Sequence, residues 1–447
     1  MCYTLNITKG EQWRKVAWKK FDKQIREIQK RIYDASVRKD LKSVRSLQKV
    51  LVGLTPAKFI AVRRISQENR EKKTSILERI DLVDELKIDG QADSIRRVFI
   101  PKQKPLGIPT MRDRAKQFLL LMALEPEWEA RFEPNSYGFR PGRSCEDARA
   151  AISQTLKQKA KYVFNGKIDN CFQTIAHDPL LKKINTIPLF RKQIRAWLRA
   201  ATTFQGNSLG PIYPFLANIA LNGLEDHVGK CLATWSNLSS NGLGVRYAYD
   251  FVILYPHLEI LKRVVKEVQE WLSPLGLEIS KNKSFIRHTL YKHESKNAGF
   301  QFLGIYFSHK ECGIEKPTWF SNKNISVPLQ YYLSQKPDRE RVQNHIDKVR
   351  DIVKRMEKRP QSELIAKLNP IILGWTNYYA LTDNADTFGY CDNRMFYRLL
   401  RYACNRHKSK GKRWIMAKYF HTFENRKWIF ATPDRLSRLK LYSKRVG

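Results

Sequence analysis

Two short runs constrain the fold of this chain most: residues 245–255 (VRYAYDFVILY) and 300–307 (FQFLGIYF) are aromatic and β-branched, so both are read as strands. Helical spacing surrounds them. Between residues 11 and 51, Trp18, Phe21, Ile25, Ile28 and Ile32, then Val44, Leu47 and Leu51, recur at intervals of three and four. That period predicts two amphipathic helices whose polar faces carry Lys and Arg. Residues 95–101 (IRRVFIP) read as a strand, 102–110 (KQKPLGIPT) as an ordered Pro- and Gly-rich loop, and the chain from Arg112 onward as a helix. Residues 205–214 read as a loop and 215–224 as a buried helix. Helical patterns at 341–358, 363–373 and 394–406 make the last third α-rich. The expected class is α+β.

Charge narrows the partners. The chain has 447 residues, of which 82 are Lys or Arg and 43 Asp or Glu, a formal charge of +39. A hydrophobic content of 42% is enough for a substantial core and excludes disorder along the whole length. Residues 1–80 carry a net +13 and residues 320–447 a net +16, so the flanks hold most of the excess. A polyanion touching both ends is expected. Nucleic acid fits better than a lipid surface, which is usually met by one basic amphipathic helix without a large folded core. No membrane partner is expected, since the longest apolar run, residues 118–124, is far short of the ~20 residues that span a bilayer. The first ten residues lack the pattern of a secretory signal. Seven cysteines without a CxxC pair give no support to a Cys-based zinc or redox site and are expected mostly as small core residues.

The string RRVFIPKQKPLGIPTMRDR, then EPNSYGFRPGRSCEDA, LANIALNGLE, RYAYDFVIL, GLEISKNKS and FLGIYF, follow one another in the order found in group II intron-encoded reverse transcriptase/maturase proteins. Downstream, NPIILGWTNYY and NRHKSKGKRWIMAKYF resemble the thumb of that family, called domain X. The resemblance covers roughly residues 12–430 and implies a right-hand fold of fingers and palm with an α-helical thumb. The expected divisions are 1–80 (basic helical extension and fingers), 81–319 (fingers and palm), 320–430 (thumb, domain X) and 431–447 (basic tail).

Family polymerases bind two hard divalent metals through carboxylates. The resemblance implies one aspartate from a strand of pattern DIxxxFDNIxH and others from a YADD turn. Aligning the first pattern on Ile168, Phe172, Ile175 and His177 puts Lys167 at the metal-binding aspartate and Gln173 at a second one. The second pattern reads Tyr247-Ala248-Tyr249-Asp250, so a phenol replaces one carboxylate and Asp250 remains. Asp169 lies two residues from Lys167, about 6–7 Å along a strand, too far to stand in for a ligand that must sit near ~2 Å from the ion. Lys167 is expected to pair with Asp250 across the vacated site. The family's PQGG loop is here Asn207-Ser208-Leu209-Gly210, with a side chain added at Leu209. The fingers have Lys72-Lys73-Thr74 followed by SILERIDL where the family has a Gly- and Asp-containing turn. Lys283, from the GLEISKNKS segment, is expected to be structural.

Nucleic-acid contacts are expected from Arg96, Arg97, Lys102, Arg112, Arg114, Arg140 and Arg143 in the fingers and palm, about half of them on phosphate. In the thumb they are expected from Arg401, Arg406, His407, Lys408, Lys410, Lys412, Arg413 and Lys418, with Trp414 and Tyr419 interleaved as planar faces for unpaired bases. Trp375 and at least one of Tyr378 and Tyr379 are expected in a core. Taken together these readings imply a maturase whose polymerase is lost: a binder of group II intron RNA, with no catalytic residues or cofactor of its own, any Mg²⁺ belonging to the RNA. The alternative is an active RNA-directed DNA polymerase of a mobile intron. No endonuclease is expected, because the chain ends on a basic tail without Cys pairs. The expected compartment is an organelle, a plastid first, with a bacterial cytoplasm as the alternative.

Overall fold

The computed structural model describes residues 13–68, 74–99, 106–157, 159–169, 171–203, 207–208, 210–235, 242–312, 318–322, 325–329, 331–424 and 426–443. The chain divides into two compact units, the first ending at Ile286 and the second beginning at Arg287.

The described part of the first unit includes the helices α1 (Trp18–Val37), α2 (Leu41–Gly53), α3 (Thr55–Glu68) and α4 (Ile76–Glu85). The two amphipathic helices read from the sequence are α1 and α2. Ser75 begins α4 with a reciprocal capping box to Glu78, which is why SILERIDL runs on as helix. Strands β1 (Arg96–Val98) and β2 (Leu106–Ile108) pair antiparallel and lead into α5 (Met111–Glu129). This helix shows no simple amphipathic stripe because it serves two cores. Ala115, Leu119, Met122 and Ala123 pack with α1 to α4, while Leu120, Leu124 and Trp128 pack into the palm.

After α5 come β3 (Ser136–Tyr137), α6 (Cys145–Lys157), β4 (Tyr162–Lys167), α7 (Cys171–Thr174), α8 (His177–Ile184), α9 (Pro188–Thr203), β5 (Asn207–Ser208), α10 (Tyr213–Leu221), α11 (Leu224–Trp235), β6 (Leu243–Tyr247), β7 (Asp250–Tyr255), α12 (Leu258–Leu272) and β8 (Phe285–His288). A five-stranded sheet of order β3-β6-β7-β4-β8 forms the palm. Four of the sequence readings are corrected here. Residues 245–255 are two strands joined by a tight turn at Ala248-Tyr249, with no Gly or Asn to announce it. Residues 300–307 are likewise a hairpin, turning at Leu303-Gly304. Leu106 to Ile108 lie in a strand and not a loop, and Asn207 and Ser208 pair with that strand in parallel.

The second unit holds the antiparallel sheet β13-β10-β9, from β9 (Phe300–Phe302), β10 (Ile305–Glu311) and β13 (Tyr331–Pro337), and between them the pair β11 (Thr318–Asn322) and β12 (Ile325–Leu329). Then follow α13 (Arg339–Arg355), α14 (Gln361–Tyr378), α15 (Ala385–Arg406), α16 (Lys412–Tyr419) and the hairpin β14 (Phe420–Phe423) and β15 (Arg426–Phe430). The boundary expected at residue 320 falls inside one sheet. Strand β10 pairs along its whole length with β13, Ile305 opposite Pro337 through Glu311 opposite Tyr331, so both sides of residue 320 contribute to it. The C-terminal third also carries the hairpin β14-β15, which helical spacing did not reveal.

Candidate functional site

The end of β4 and the β6–β7 turn form the place where the family's metal ligands are expected. Antiparallel pairing of β4 with β7 sets Lys167 directly opposite Asp250. Their side chains meet, Nζ 3.0 Å from Oδ1, and both are about two-fifths exposed. Beyond β4 the backbone is held against the segment before β8. The Ile168 N–H donates to the Tyr249 carbonyl, the Asp169 N–H to the Glu278 carbonyl and the Ser280 N–H to the Lys167 carbonyl. This brings Lys283 Nζ within 3.0 Å of Asp169 Oδ1. Hydrogen bonds from Ser280 and Lys283 hold the Asp169 carboxyl below its ordinary range. Each carboxylate of the site therefore faces a lysine.

Tyr249 turns toward the core. It is partly buried against the palm cluster, and burial raises its phenol well above the ordinary value, so the hydroxyl stays protonated at neutral pH. The turn that carries it is strained, with Ala248 at φ +55°. Arg246 anchors it: this fully buried guanidinium donates to the Ala248 carbonyl at 3.0 Å, to Asn218 Oδ1 at 2.8 Å and to Ser136 Oγ. Burial pushes Arg246 down to about 10, opposed first by Glu133, which leaves it charged. Asn218 in turn donates to the Gly138 carbonyl. Arg246 and Asn218 lie inside the RYAYDFVIL and LANIALNGLE motifs, and the one sequence signal of this role is a cation inside an otherwise apolar strand. Gln173 lies in α7, and Leu209, Lys72 and Lys73 fall outside the described residues.

Hard divalent ions need several carboxylate or carbonyl oxygens. The side chains here are two lysines, a protonated phenol and two carboxylates, each paired with a lysine. Among the described residues, one group elsewhere offers three ligand types, His227, Cys231 and Glu267, with donor atoms within 4.8 Å of one another. Burial raises the Cys231 thiol, and its sulfur lies 3.7 Å from His227 Nε2. A hydrogen bond between the Cys231 sulfur and the His227 imidazole accounts for that pair, and His227 Nε2 also lies 3.3 Å from the Glu267 carbonyl.

The basic residues sort by burial. Arg96 and Arg97 on β1 and Arg143 are exposed, and Arg114 is partly buried. Lys102 lies outside the described residues. Arg112 is turned to Asp89 (3.4 Å) and Asp93 (3.8 Å). Arg140 is a correction: it is 8% exposed, paired with Glu129 and bonded to the Glu133 carbonyl, so it ties the α5–β3 corner together and offers little surface to a partner.

In the second unit Lys408, Lys410, Lys412, Arg413 and Lys418 are exposed. Lys418 and Lys410 lie 4.7 and 5.7 Å from the Trp414 ring, which is itself exposed. Arg406 is diverted, donating to the Glu357 and Arg359 carbonyls after α13. Tyr419 is a second correction. It is buried, stacked on Phe430 and bonded to His407, because α16 turns that face inward. Trp375 stacks on His345, and Tyr378 and Tyr379 donate to the Leu303 and Gly304 carbonyls, so this motif is packing, as expected. Arg401 is exposed on α15.

Three family models match in succession: the N-terminal domain of reverse transcriptase at residues 13–89, reverse transcriptase (RNA-dependent DNA polymerase) at 100–307, and the group II intron maturase-specific domain at 342–420. Fold and matches together define a reverse-transcriptase-like protein carrying a maturase domain. The chain belongs to the group II intron-encoded reverse transcriptase/maturase family. It is 31% identical over 257 residues to protein YkfC of Escherichia coli, covering 47% of this chain and 65% of that protein. It is 24% identical over 390 residues to maturase-like protein 1 of Euglena gracilis, covering 82% and 77%. To the group II intron-encoded protein LtrA of Lactococcus lactis it is 25% identical over 413 residues, covering 70% and 65%. The chain thus spans just under two thirds of YkfC and of LtrA.

Proposed function

We propose that this protein is a maturase that binds group II intron RNA, stabilises the fold in which that RNA splices, and has lost polymerase activity. The observation that carries the reading is the Lys167–Asp250 pair, a cation seated on the last carboxylate of the YADD-like turn. Its support is electrostatic. An ammonium within 3.0 Å of the carboxylate disfavours a divalent ion there, and Asp169 is held by Lys283.

What the chain retains is a scaffold and a charge. A protein that prefers the active RNA fold shifts the folding equilibrium by its differential affinity, while the RNA supplies the chemistry and its own Mg²⁺. Contact with several phosphates would make binding steeply salt-dependent, with a slope of about −0.7 to −0.9 per contact. Arg96, Arg97, Arg114 and Arg143 in the fingers and palm, and Arg401, Lys408, Lys410, Lys412, Arg413, Lys418 and Trp414 in the thumb, are the contacts we assign. We assign a plastid as the compartment, drawing on the Euglena relative, with a bacterial cytoplasm as the alternative in view of the Lactococcus one. No helix among the described residues is long and apolar enough to cross a membrane.

The test pairs two assays on one preparation. Primer extension on an RNA template with Mg²⁺ or Mn²⁺ is expected to give no product, and addition of the protein to its intron RNA at low Mg²⁺ is expected to accelerate splicing. Robust extension by the natural protein would overturn the assignment in favour of a polymerase.

A further inference from the structure

Helices α13 and α15 enclose a cleft of about 420 Å³ in the second unit. From α13 it is lined by Arg350 and Lys354, and from α15 by Arg394, Arg398 and Arg401, which recur at four and three along one helix face. Tyr397, 60% exposed, stands at the same cleft. Glu357 is the one acidic residue lining it, and its side chain is engaged by Asn405. Asp347 and Asp351, outside the lining, take Arg350 at 2.7 and 3.2 Å.

Beside the paired Arg350, four further cations, Lys354, Arg394, Arg398 and Arg401, thus share the cleft with Glu357. The Nε of Arg398 is buried without a hydrogen-bond partner. Burial depresses the Arg398 guanidinium from its ordinary value, and Arg350, Arg394 and Arg401 depress it further against the opposing charge of Asp347. Like charges gathered on two packed helices weaken the fold that holds them, and an unsatisfied buried donor adds to that penalty. An anion in the cleft would relieve both. Volumes of about 300–1,000 Å³ are usual for small-molecule sites, which is room for more than one phosphate group. The exposed ring beside the cations offers a face for a base.

We propose that this cleft is a single-stranded RNA subsite, in which Arg394, Arg398 and Arg401 hold the phosphates of a nucleotide unit and Tyr397 stacks a neighbouring base. The proposal rests on the reading that the protein binds RNA and locates part of that binding outside the basic segment 406–418. A solvated, self-repelling surface would behave differently in stability and in affinity.

The experiment uses the full chain, with a fluorescein-labelled oligouridylate and a group II intron RNA as probes, and the Arg398→Gln/Arg401→Gln, Tyr397→Ala and Tyr397→Phe variants. The double variant is expected to weaken both RNAs about tenfold or more and to lower the salt slope by about 1.4, two contacts at ~0.7 each. Its melting temperature is expected to stay level or rise, because repulsion has been removed. Tyr397→Ala is expected to weaken the oligouridylate and Tyr397→Phe to restore it. Unchanged affinity and slope in the double variant, with the natural protein binding normally, would overturn the subsite alone. Failure of the natural protein to bind either RNA would overturn the subsite and the maturase reading together. Equal competition by inorganic polyphosphate with a silent Tyr397 would leave a plain anion site and overturn the nucleotide assignment.

Discussion

Lys167 and Asp250 are directly opposed residues of neighbouring antiparallel strands, and their side chains meet at 3.0 Å. Both are well exposed, so the pair contributes at most about 1 kcal/mol. Its consequence is for ion binding. The double variant Lys167→Asp, Tyr249→Asp is expected to show a rise in melting temperature on adding Mn²⁺, because ligand binding to the folded state alone stabilises it. The natural protein is expected to show none. Calorimetric scans with and without Mn²⁺ check this, and an equal rise in both proteins would contradict it.

Arg246 holds the β6–β7 turn from inside the palm. Replacing it with Ala strands the Ala248 carbonyl, Asn218 Oδ1 and Ser136 Oγ in a buried place. The expected loss is roughly 3–5 kcal/mol, the range for breaking a buried, hydrogen-bonded charge network. Urea titration of Arg246→Ala reads it directly, and a change under ~1 kcal/mol would show that the network does not anchor the turn.

Glu125 on α5 is pushed up to about 7, by burial first and by Glu129 second. The folded state therefore holds a proton that the unfolded chain releases near 4.5. Its contribution is fully present below about 4.5 and is lost as the pH rises through about 7. Glu125→Gln is expected to be more stable than the natural protein at pH ~8, by roughly 1–3 kcal/mol, and level with it at pH ~4. Urea midpoints at both values test the sign.

His345 runs the other way. Burial, with Lys348 adding to it, pushes its imidazole down to about 4, and the neutral ring stacks on Trp375 and bonds Tyr442. The unfolded chain takes up the proton near 6.5, so stability is lost as the pH falls from about 6.5 through about 4. His345→Phe is expected to flatten that part of the profile while lowering the plateau, since the Tyr442 hydroxyl loses its partner. An unchanged slope below pH ~6.5 would count against it.

Local pattern was legible where one face of an element alone is buried. Helices α1 and α2 show their stripe because solvent covers the opposite side, whereas α5 is buried on two sides and its start is marked by the Thr110 cap, not by period. Residues 245–255 read as one strand because strand-forming types continue through the turn. The left-handed φ of Ala248 is sustained by Arg246 and by the bond from the Ala248 N–H to the Tyr137 carbonyl, neither of which a window of sequence contains.

Motif order, the replacement of acidic by basic and aromatic types at Lys167 and Tyr249, and the basic balance of the flanks were determined by the sequence itself, since they are matters of residue type and spacing. The tertiary structure decided what each cation does. Arg140 and Arg143 lie three positions apart in one motif, yet one is locked to Glu129 and the other faces solvent. Arg350 and Arg398 stand on different helices, 48 positions apart, and converge on one cleft. Burial and charge pairing depend on strand register and helix packing between residues far apart in the chain, which short-range periodicity does not encode.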